Sequence, residues 1–422
     1  MSDFLLSSIK AFIVRGFGAI SLFIMNLIVA RMLPLEEAGY FLLAFAVVMV
    51  LAPSGLVGLQ QTSLRFIGIA FANENWSEVN AFVQVSRVWA LLGTLTLSLV
   101  LWFLAPIISD VLFEKPELRQ VLRLISPAVL FFGLVLLYSS YLQALRKVSQ
   151  AIFLLSIGVP LGVSAGVYLL APDTATQVVN IYVAASLMTL FIGLFWWKKY
   201  SKNAVLTTFD HKVILNSCLP LWVVVLMNLL VQWGSHFIAG VYVSVEEVAF
   251  LSIALRTANL VSFILIAVNI VLAPRFAALY AQEKSNELRR LAFSSVRIML
   301  FFSAPVVSLL CIFPEFFMKL FGEEYVAAAP LLIILSLGQF VNVVTGSVGI
   351  LLTMSGHERD MRNILMFSAL TAIFLAIILT DIWGVWGAAL ATAISVSLQN
   401  LGAVWLVKKR LGFNMLAIWI KT

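Results

Sequence analysis

Two arginines lie inside long apolar runs of this sequence. Arg15 and Arg256 are both flanked by hydrophobic residues, and an arginine within a membrane span costs about 2.5–3.5 kcal/mol on insertion scales. Such residues usually face a bundle interior or water. Arg15 is only about four residues, or roughly 6 Å, from the start of its run, so its side chain could instead extend to the lipid head groups. Arg256 is about seven residues, or roughly 10 Å, into its run, which favours a position in a cavity.

The acidic residues show the opposite distribution. All 20 Asp and Glu residues lie outside the apolar runs or at their ends. A cavity that contains cations and no carboxylates favours an anionic ligand. Because a guanidinium can hold a phosphate through two parallel hydrogen bonds, the chemistry indicated is the binding of a group such as a diphosphate.

Hydrogen-bonding side chains accompany the two arginines. Asn26 lies on the same helical face as Arg15, since eleven residues return to within about 20°. Asn259 follows Arg256 by one turn and lies on the same side. These amides are therefore candidate ligands for sugar or phosphate.

A further polar stripe crosses the seventh apolar run. Its members recur at three- and four-residue steps: Asn228, Gln232, Ser235 and His236. A stripe of this kind must be hidden from lipid, so it either bonds to another helix or contacts a substrate. His236 could also titrate near neutral pH, although a single histidine is more often a packing or hydrogen-bonding residue. In the tenth run, small residues share a side with Gln339 and Asn342, which predicts close helix packing there.

Arg65 and Arg275 occupy corresponding places at the ends of the second and eighth runs. The excess of basic residues on the cytoplasmic side of membrane proteins accounts for both. An alternative is that they meet a diphosphate at the cytoplasmic mouth of a cavity.

The elements that would position these residues are membrane helices. The chain of 422 residues is 62% hydrophobic and 11% charged, with mean hydropathy +1.05, whereas a soluble domain is about 45–50% apolar and about 25% charged. A spanning helix needs about 20 mostly apolar residues, and continuous runs argue against a β-barrel. Twelve spans are predicted, at residues 11–33, 39–60, 88–109, 124–143, 151–171, 178–197, 214–240, 249–272, 298–318, 329–353, 364–382 and 387–407.

The basic residues are distributed asymmetrically between the two sides of these spans. Of the 27 Lys and Arg residues, 20 lie on the side of the termini and five on the other. Both termini are therefore predicted to be cytoplasmic. The net charge of +7 is an orientation signal and does not indicate nucleic-acid binding, because no soluble module places aromatic residues among the basic ones. No nucleotide-binding loop or metal-ligand spacing is present, and no cofactor is expected.

The acidic turn "LPLEEAGY" at 33–40 returns as "VSVEEVAF" at 243–250. Shifting the sequence by 210 residues superposes Glu36 on Glu246, and the same offset aligns further charged residues: Glu37 with Glu247, Arg65 with Arg275, Arg87 with Arg297, and Lys198–Lys199 with Lys408–Lys409. Six spans in each half preserve orientation, so the halves are predicted to be parallel repeats. We expect two six-helix bundles, 1–210 and 211–422, around a central cavity.

Four stretches carry a resemblance to a known family. They are "ARMLPLEEAGYFLLAFAV", "GLVGLQQTSLRFIG", "LFGEEYVAAAPLLIIL" at 320–335 and "GVWGAALATAIS" at 384–395. In this order they resemble the polysaccharide and O-antigen flippases of the multidrug/oligosaccharidyl-lipid/polysaccharide exporter superfamily. The resemblance implies two bundles lined by the first, second, seventh and eighth helices. It also implies transfer of a polyprenyl-diphosphate-linked oligosaccharide to the outer leaflet of the bacterial inner membrane.

The resulting interpretation is an all-α secondary transporter rather than an enzyme. Arg15 and Arg256 would attract the diphosphate, while Asn26, Asn228, Gln232 and His236 would bond to sugar or phosphate. Partners would be the lipid-linked oligosaccharide, the bilayer and a polysaccharide polymerase. A drug/cation antiporter of the same superfamily is one alternative, but it calls for an intramembrane carboxylate. A membrane enzyme acting on lipid-linked sugars is another, but it needs a larger outer loop than residues 110–123 provide.

Overall fold

The computed structural model describes residues 2–202, 204 and 209–416, with side chains at all of these positions except 2–13, 15, 266, 267, 270, 271 and 274. The first half of the chain contains α1 (Ser2–Met32), α2 (Leu35–Gly55), α3 (Leu59–Ala72), α4 (Trp76–Ile107), α5 (Leu118–Ala144), α6 (Val148–Ile152), α7 (Gly158–Leu170) and α8 (Ala175–Tyr200). The second half contains α9 (His211–Tyr242), α10 (Val245–Ala258), α11 (Phe263–Ala281), α12 (Ser285–Ile312), α13 (Pro314–Lys319), α14 (Ala329–Val344), α15 (Val348–Met354) and α16 (Glu358–Leu411).

The helices have the length and composition of membrane spans. Ten helical segments of the described chain are long and apolar enough to cross a membrane, and Gly16–Met32 is a shorter apolar helix. The last segment, α16, is two helices that meet at Gly384, whose backbone is non-helical with φ 57° and ψ −138°. A helix satisfies its own backbone hydrogen bonds, as hydrocarbon requires. The predicted all-α polytopic fold is confirmed.

The helix bounds recur with the offset of the sequence repeat. Helix α2 starts at Leu35 and α10 at Val245, which are 210 residues apart. The same interval separates the ends of α1 and α9, at Met32 and Tyr242. The starts of α6 and α16 also differ by this interval. The repeat detected in the charged residues is thus also a repeat of helix boundaries.

Several predicted spans are interrupted in the structure, among them the second, the eighth and the tenth. The second ends at Gly55, and the chain turns through Gly58, whose φ of +82° suits a residue without a Cβ. The eighth leaves the α-helix at Ala258 and continues through a 3₁₀ turn, Asn259–Ser262, into α11. The tenth breaks at Gly346, where φ is +80°. The prediction of continuous helices was wrong at these places, because hydropathy reports burial in lipid and not local backbone geometry.

The chain forms two compact units, Met1–Leu226 and Met227–Thr422. In the first, α5 contacts α2, α3, α4 and α8 and contributes the fully buried Tyr141. In the second, α14 contacts α10, α12 and α16. The boundary of the compact units lies inside α9. The predicted division of the repeats at 210/211 stays a prediction.

The first half of α9 packs on the interrupted second span. The Trp222 indole Nε1 donates to the carbonyl of Ser54 at 3.0 Å, and the Cys218 thiol donates to Thr62 Oγ at 3.3 Å. A Cβ at Gly58 would lie 2.5 Å from the Cys218 carbonyl oxygen. These contacts explain why residues up to Leu226 belong to the first unit.

Candidate substrate-binding site

The second half of α9 brings His236 against α10. His236 is 3% exposed, and Ser252 Oγ lies 3.3 Å from its Nε2 atom. The Ser252 hydroxyl donates its hydrogen to the carbonyl of Val248 at 2.7 Å, so it can only accept from the imidazole. His236 is therefore the donor in this contact. The Trp233 ring stands nearly perpendicular to the imidazole, with centroids 5.9 Å apart.

Arg256 lies one turn after Ser252 on the same face of α10. Its side chain is partly buried, and its charge is close enough to act on the His236 ring. The sequences of α9, of 248–258, of the 3₁₀ turn, of α11 and of α14 contain no Asp or Glu. These segments supply amides, hydroxyls and an imidazole, whereas the carboxylates of the elements that contact α10 lie on α13, on 323–328 and on α16.

A network of four polar side chains follows Arg256 where α10 ends. The Gln339 amide donates to Asn259 Oδ1 at 2.9 Å and accepts from Ser262 Oγ at 2.5 Å. The Asn342 amide donates to Gln339 Oε1 at 3.1 Å. Asn259 and Ser262 are three residues apart in the 3₁₀ turn, and Gln339 and Asn342 are three residues apart in α14. The shared spacing places each pair on one side, so the two pairs meet.

This network adds detail to two predictions. The polar side of the tenth helix was expected to be a packing face, and Gly338 does pack closely, since a Cβ there would lie 2.8 Å from Ala393 Cα. Gln339 and Asn342, however, bond to the residues that follow Arg256. Sequence reasoning missed Ser252 and Ser262 as well, because serines within an apolar run carry no distinctive signal. Asn259, by contrast, was predicted and lies in the network.

The other predicted residues of the second unit lie apart from the network. On α9, Asn228 is half-buried and Gln232 is exposed, so the predicted stripe passes from an accessible to a buried side at Ser235 and His236. Arg275 is exposed near the end of α11 and lines a cleft with Arg290. The structure therefore brings together His236, Arg256 and Asn259, and it does not bring Arg275 to them.

In the first unit the structure describes the side chains of two of the three predicted residues. The side chain of Arg15 lies outside the described residues. Asn26 is 2% exposed, and its amide donates to the Leu22 carbonyl at 2.6 Å, while Oδ1 has no hydrogen-bond partner among the residues that the structure describes. Arg65 is exposed, with its guanidinium 5.7 Å from the centroid of the Phe66 ring. The roles of these three residues stay predictions.

The second-unit cluster can hold an anion and a polyhydroxyl compound. Its guanidinium suits phosphate oxygens, and its amides both donate and accept hydrogen bonds, as sugar hydroxyls do. Within the described part of the chain, no group of three His, Cys, Asp or Glu side chains could hold a metal ion.

Comparison with known sequences identifies a family. Residues 28–330 match the family described as "Polysaccharide biosynthesis protein". No curated protein sequence matches the chain.

Comparison with solved structures identifies the fold. A multidrug resistance MATE family transporter of the MOP superfamily, in an inward-facing conformation, shares 14% identity and a TM-score of 0.75 over 94% of both chains. The lipid II flippase MurJ, in an inward closed conformation, shares 17% identity and a TM-score of 0.72 over 96% of this chain and 87% of its own. A MOP superfamily transporter from Pyrococcus furiosus, reported with a binding pocket of reverse polarity, shares 14% identity and a TM-score of 0.64 over 98% and 95% of the two chains. The family match and the shared fold confirm the resemblance that the sequence motifs indicated.

Proposed function

The chain belongs to the polysaccharide biosynthesis protein family and has the fold of MOP superfamily transporters, and from this premise we propose that it is a flippase for a polyprenyl-diphosphate-linked oligosaccharide. The substrate would be an O-antigen or related polysaccharide repeat unit. The protein would move it from the cytoplasmic to the outer leaflet of the bacterial inner membrane.

The observation that carries this proposal is the setting of Arg256. Its guanidinium belongs to a helical segment that is long and apolar enough to span a membrane, and residues 248–265 of this segment contain no Asp or Glu. A cation in such surroundings selects anions, since the field of the site is positive. A diphosphate between a lipid and a sugar is an anion of the right kind.

The network of Asn259, Ser262, Gln339 and Asn342, called the amide network below, would bind the oligosaccharide beside the diphosphate. Gln339 bonds to both Asn259 and Asn342, and amides of this kind can exchange such bonds for bonds to sugar hydroxyls. Because Asn259 is one turn from Arg256, a ligand held by the guanidinium would present its first sugar to the network. This arrangement separates the two tasks of holding the charged linkage and recognising the glycan.

Translocation would proceed by alternating access of the site to the two sides of the membrane. We place both termini in the cytoplasm, with the repeats divided at 210/211. The product would then meet a polysaccharide polymerase in the outer leaflet.

The experiment that tests this function uses purified protein in proteoliposomes. A polyprenyl-diphosphate-linked oligosaccharide with a fluorescent sugar is incorporated, and a membrane-impermeant quencher reports how much of it reaches the outer leaflet. We expect faster transfer with wild-type protein than in protein-free vesicles, and transfer near the background rate with Arg256→Glu at equal protein content. Background-level transfer with wild-type protein would contradict the proposal.

A drug/cation antiporter is the competing function, because a solved structure of similar fold is a multidrug resistance transporter. The same vesicles, loaded with a fluorescent organic cation and given a proton or sodium gradient, separate the two. We expect no gradient-driven cation efflux above protein-free vesicles. Cation efflux without oligosaccharide transfer would assign the chain to the antiporters.

A further inference from the structure

The first unit contains a cleft whose described lining includes two charged side chains, and both are cations. It lies between α4 and the end of α8 and has a volume of about 510 Å³. Its polar lining consists of Asn80, Gln84, Arg87, Ser201 and Lys202, with Trp197 beside them. None of the residues assigned to the candidate substrate site lines it. The cleft therefore calls for a separate explanation.

The two cations are held in place by aromatic rings. The Arg87 guanidinium lies 5.8 Å from the centroid of Tyr138, and Lys202 Nζ lies 5.8 Å from the centroid of Trp76. Contacts of a cation with an aromatic face contribute about 0.5–1 kcal/mol at exposed sites. Such contacts restrict where the charges lie.

Further hydrogen bonds fix the walls of the cleft. The Asn80 amide donates to the Lys202 carbonyl at 3.0 Å and so ties the segment after α8 to α4. The hydroxyl of Tyr141, whose ring lies 5.5 Å from that of Tyr138, is 2.6 Å from Ser86 Oγ. The ring under Arg87 is therefore part of a packed arrangement. A site built in this way needs little rearrangement when it binds a ligand.

The position of Arg87 along α4 corresponds to the level of the lipid head groups. Helix α4 has 32 residues, which is about 48 Å at 1.5 Å per residue, and a hydrocarbon core is about 30 Å thick. The stretch from Arg87 to Ile107 alone is about 30 Å long. Arg87 thus stands at one boundary of the hydrocarbon, and Trp197 is of the residue type enriched at this boundary.

The equivalent face of the second repeat also opens onto a cleft. Arg290 and Ser294 on α12 correspond by the 210-residue offset to Asn80 and Gln84, and they line a cleft of about 520 Å³ together with Arg275. That cleft also contains Glu287, which pairs with Lys284 at 3.5 Å. The cleft of the first unit lacks a carboxylate among its described lining residues, so it is the more selective of the two for an anion.

We propose that the cleft between α4 and α8 binds the anionic phosphate group of a membrane phospholipid. Arg87 and Lys202 would contact the phosphate oxygens, and Asn80, Gln84 and Ser201 would donate hydrogen bonds to the phosphate or to the alcohol esterified to it. Val88 contributes an apolar side chain to the lining of the cleft, along which an acyl chain can extend. The proposal is independent of the flippase function, since it concerns a resident lipid and not the transported one.

The test measures lipid retention by native mass spectrometry of the full-length protein in an uncharged detergent. Phosphatidylglycerol, phosphatidylcholine and inorganic phosphate are titrated separately. We expect retention of phosphatidylglycerol over phosphatidylcholine, and about tenfold weaker retention in the double variant Arg87→Gln with Lys202→Gln, because two exposed cations, each of which contributes modestly to an ion pair, lose their contact with the phosphate. The matched control is Lys198→Gln with Lys199→Gln, which removes the same charge a few residues away outside the cleft and should retain the lipid as wild type does.

Additional arms separate the lipid from free phosphate and from misfolding. Inorganic phosphate in excess should not displace the lipid, and displacement would show that the cleft is a site for soluble phosphate, contrary to the proposal. Lys202→Gln alone alters an exposed side chain and should leave the fold intact. It should weaken retention by about threefold, as expected for the loss of one exposed ion pair. Equal loss in both double variants, or equal retention of the two phospholipids, would overturn the proposal. Because the readout is retention and not translocation, either result leaves the flippase proposal untouched.

Discussion

The carboxylate of Glu37 accepts a 2.6 Å hydrogen bond from the backbone N–H of Ala175, the first residue of α8. The corresponding Glu247 instead closes a capping box on its own helix, in which the Ser244 N–H donates to the carboxylate at 3.1 Å and the Ser244 hydroxyl accepts from the Glu247 N–H at 3.3 Å. Pro34 stands where the second repeat has Ser244. Proline has neither an N–H nor a hydroxyl, so Glu37 cannot form the box and reaches a neighbouring helix.

We predict that Glu37→Gln lowers the thermal stability of the protein. An ionised acceptor at a helix N-terminus is favoured by the helix dipole, and a hydrogen bond to a charged group is worth about 1.5–3 kcal/mol. The amide keeps the shape of the side chain but loses the charge. The measurement is thermal unfolding in detergent, monitored by intrinsic tryptophan fluorescence. The midpoint of unfolding should fall by several degrees.

Glu36→Gln is the matched control for this prediction. Glu36 is exposed and accepts from the Tyr40 hydroxyl at 3.2 Å within its own helix. Its replacement should change the midpoint much less. Equal effects of the two substitutions would mean that the charge of the turn matters and the bond to Ala175 does not.

The spans and the repeat could be predicted from the sequence because both depend on long-range averages. An apolar run of about 20 residues is required by the thickness of the bilayer whatever its neighbours are. The breaks at Gly58, Asn259 and Gly346 could not be predicted, since each depends on a few backbone angles. The hydrogen bond between Glu37 and Ala175 could not be predicted either, because a contact between residues 138 positions apart in the sequence leaves no local pattern.

The candidate site could be predicted in part, for a similar reason. Arg256 and Asn259 were found because a charge and an amide are conspicuous in an apolar run. Ser252 and Ser262 were not, since a serine in a membrane helix commonly bonds to the carbonyl one turn earlier, as Ser252 does. The contacts of Ser252 with His236 and of Ser262 with Gln339 depend on which helix lies opposite. The sequence alone does not show which helix that is.

Gln339 joins the other members of the amide network, and we predict that Gln339→Leu destabilises the second unit. The substitution removes bonds to Asn259 and Ser262 on another element and to Asn342 within α14. Interhelical bonds in membrane proteins average about 0.6 kcal/mol each, so the loss of the first two should cost about 1 kcal/mol. Asn400→Leu is the control, because the Asn400 amide bonds to the Val396 carbonyl of its own helix. A midpoint of thermal unfolding no lower for Gln339→Leu than for Asn400→Leu would mean that the network adds nothing to stability.

His236→Ala should weaken transport modestly without abolishing it. The imidazole donates to Ser252 and packs against Trp233, which makes it a positioning residue next to Arg256. His236→Gln keeps an N–H donor and should retain more activity than the alanine variant. The measurement is the initial rate of oligosaccharide transfer in proteoliposomes. Complete loss in both variants with normal membrane insertion would place a proton carried by His236 at the centre of the mechanism.

The orientation of the chain can be tested with two reporter fusions. Lys199 lies in the last turn of α8 and Glu247 in the first turn of α10, and α9 is the span between them. A reporter fused after Lys199 should be cytoplasmic, and one fused after Glu247 should be periplasmic, as the excess of basic residues predicts. Two fusions on the same side would show that α9 does not cross the membrane, and the assignment of parallel repeats would be wrong.

Replacing Arg256 tests the charge on which the proposed function depends. The residue lies in a span at a cost of a few kcal/mol, and a site that meets an anion during transport repays that cost. Arg256→Ala and Arg256→Glu should block export of the glycan while the protein still inserts and accumulates. Arg256→Lys keeps the charge and loses the planar fork, so partial function should remain. Arg15→Ala should be milder, because that residue is near enough to the start of its apolar run to reach the head groups.

The measurement for Arg256 is surface glycan in a strain that lacks the native gene, complemented with each variant at matched membrane levels. The order of glycan export should be wild type, then Arg256→Lys, then Arg256→Ala and Arg256→Glu. Matched levels separate loss of transport from loss of protein, and Asn400→Leu serves as a span substitution outside the network. Export by Arg256→Glu at the wild-type level would disprove the cationic site, because a carboxylate there would repel a diphosphate. The arginine would then be a packing residue, and the anionic linkage of the substrate would have to be bound by other groups.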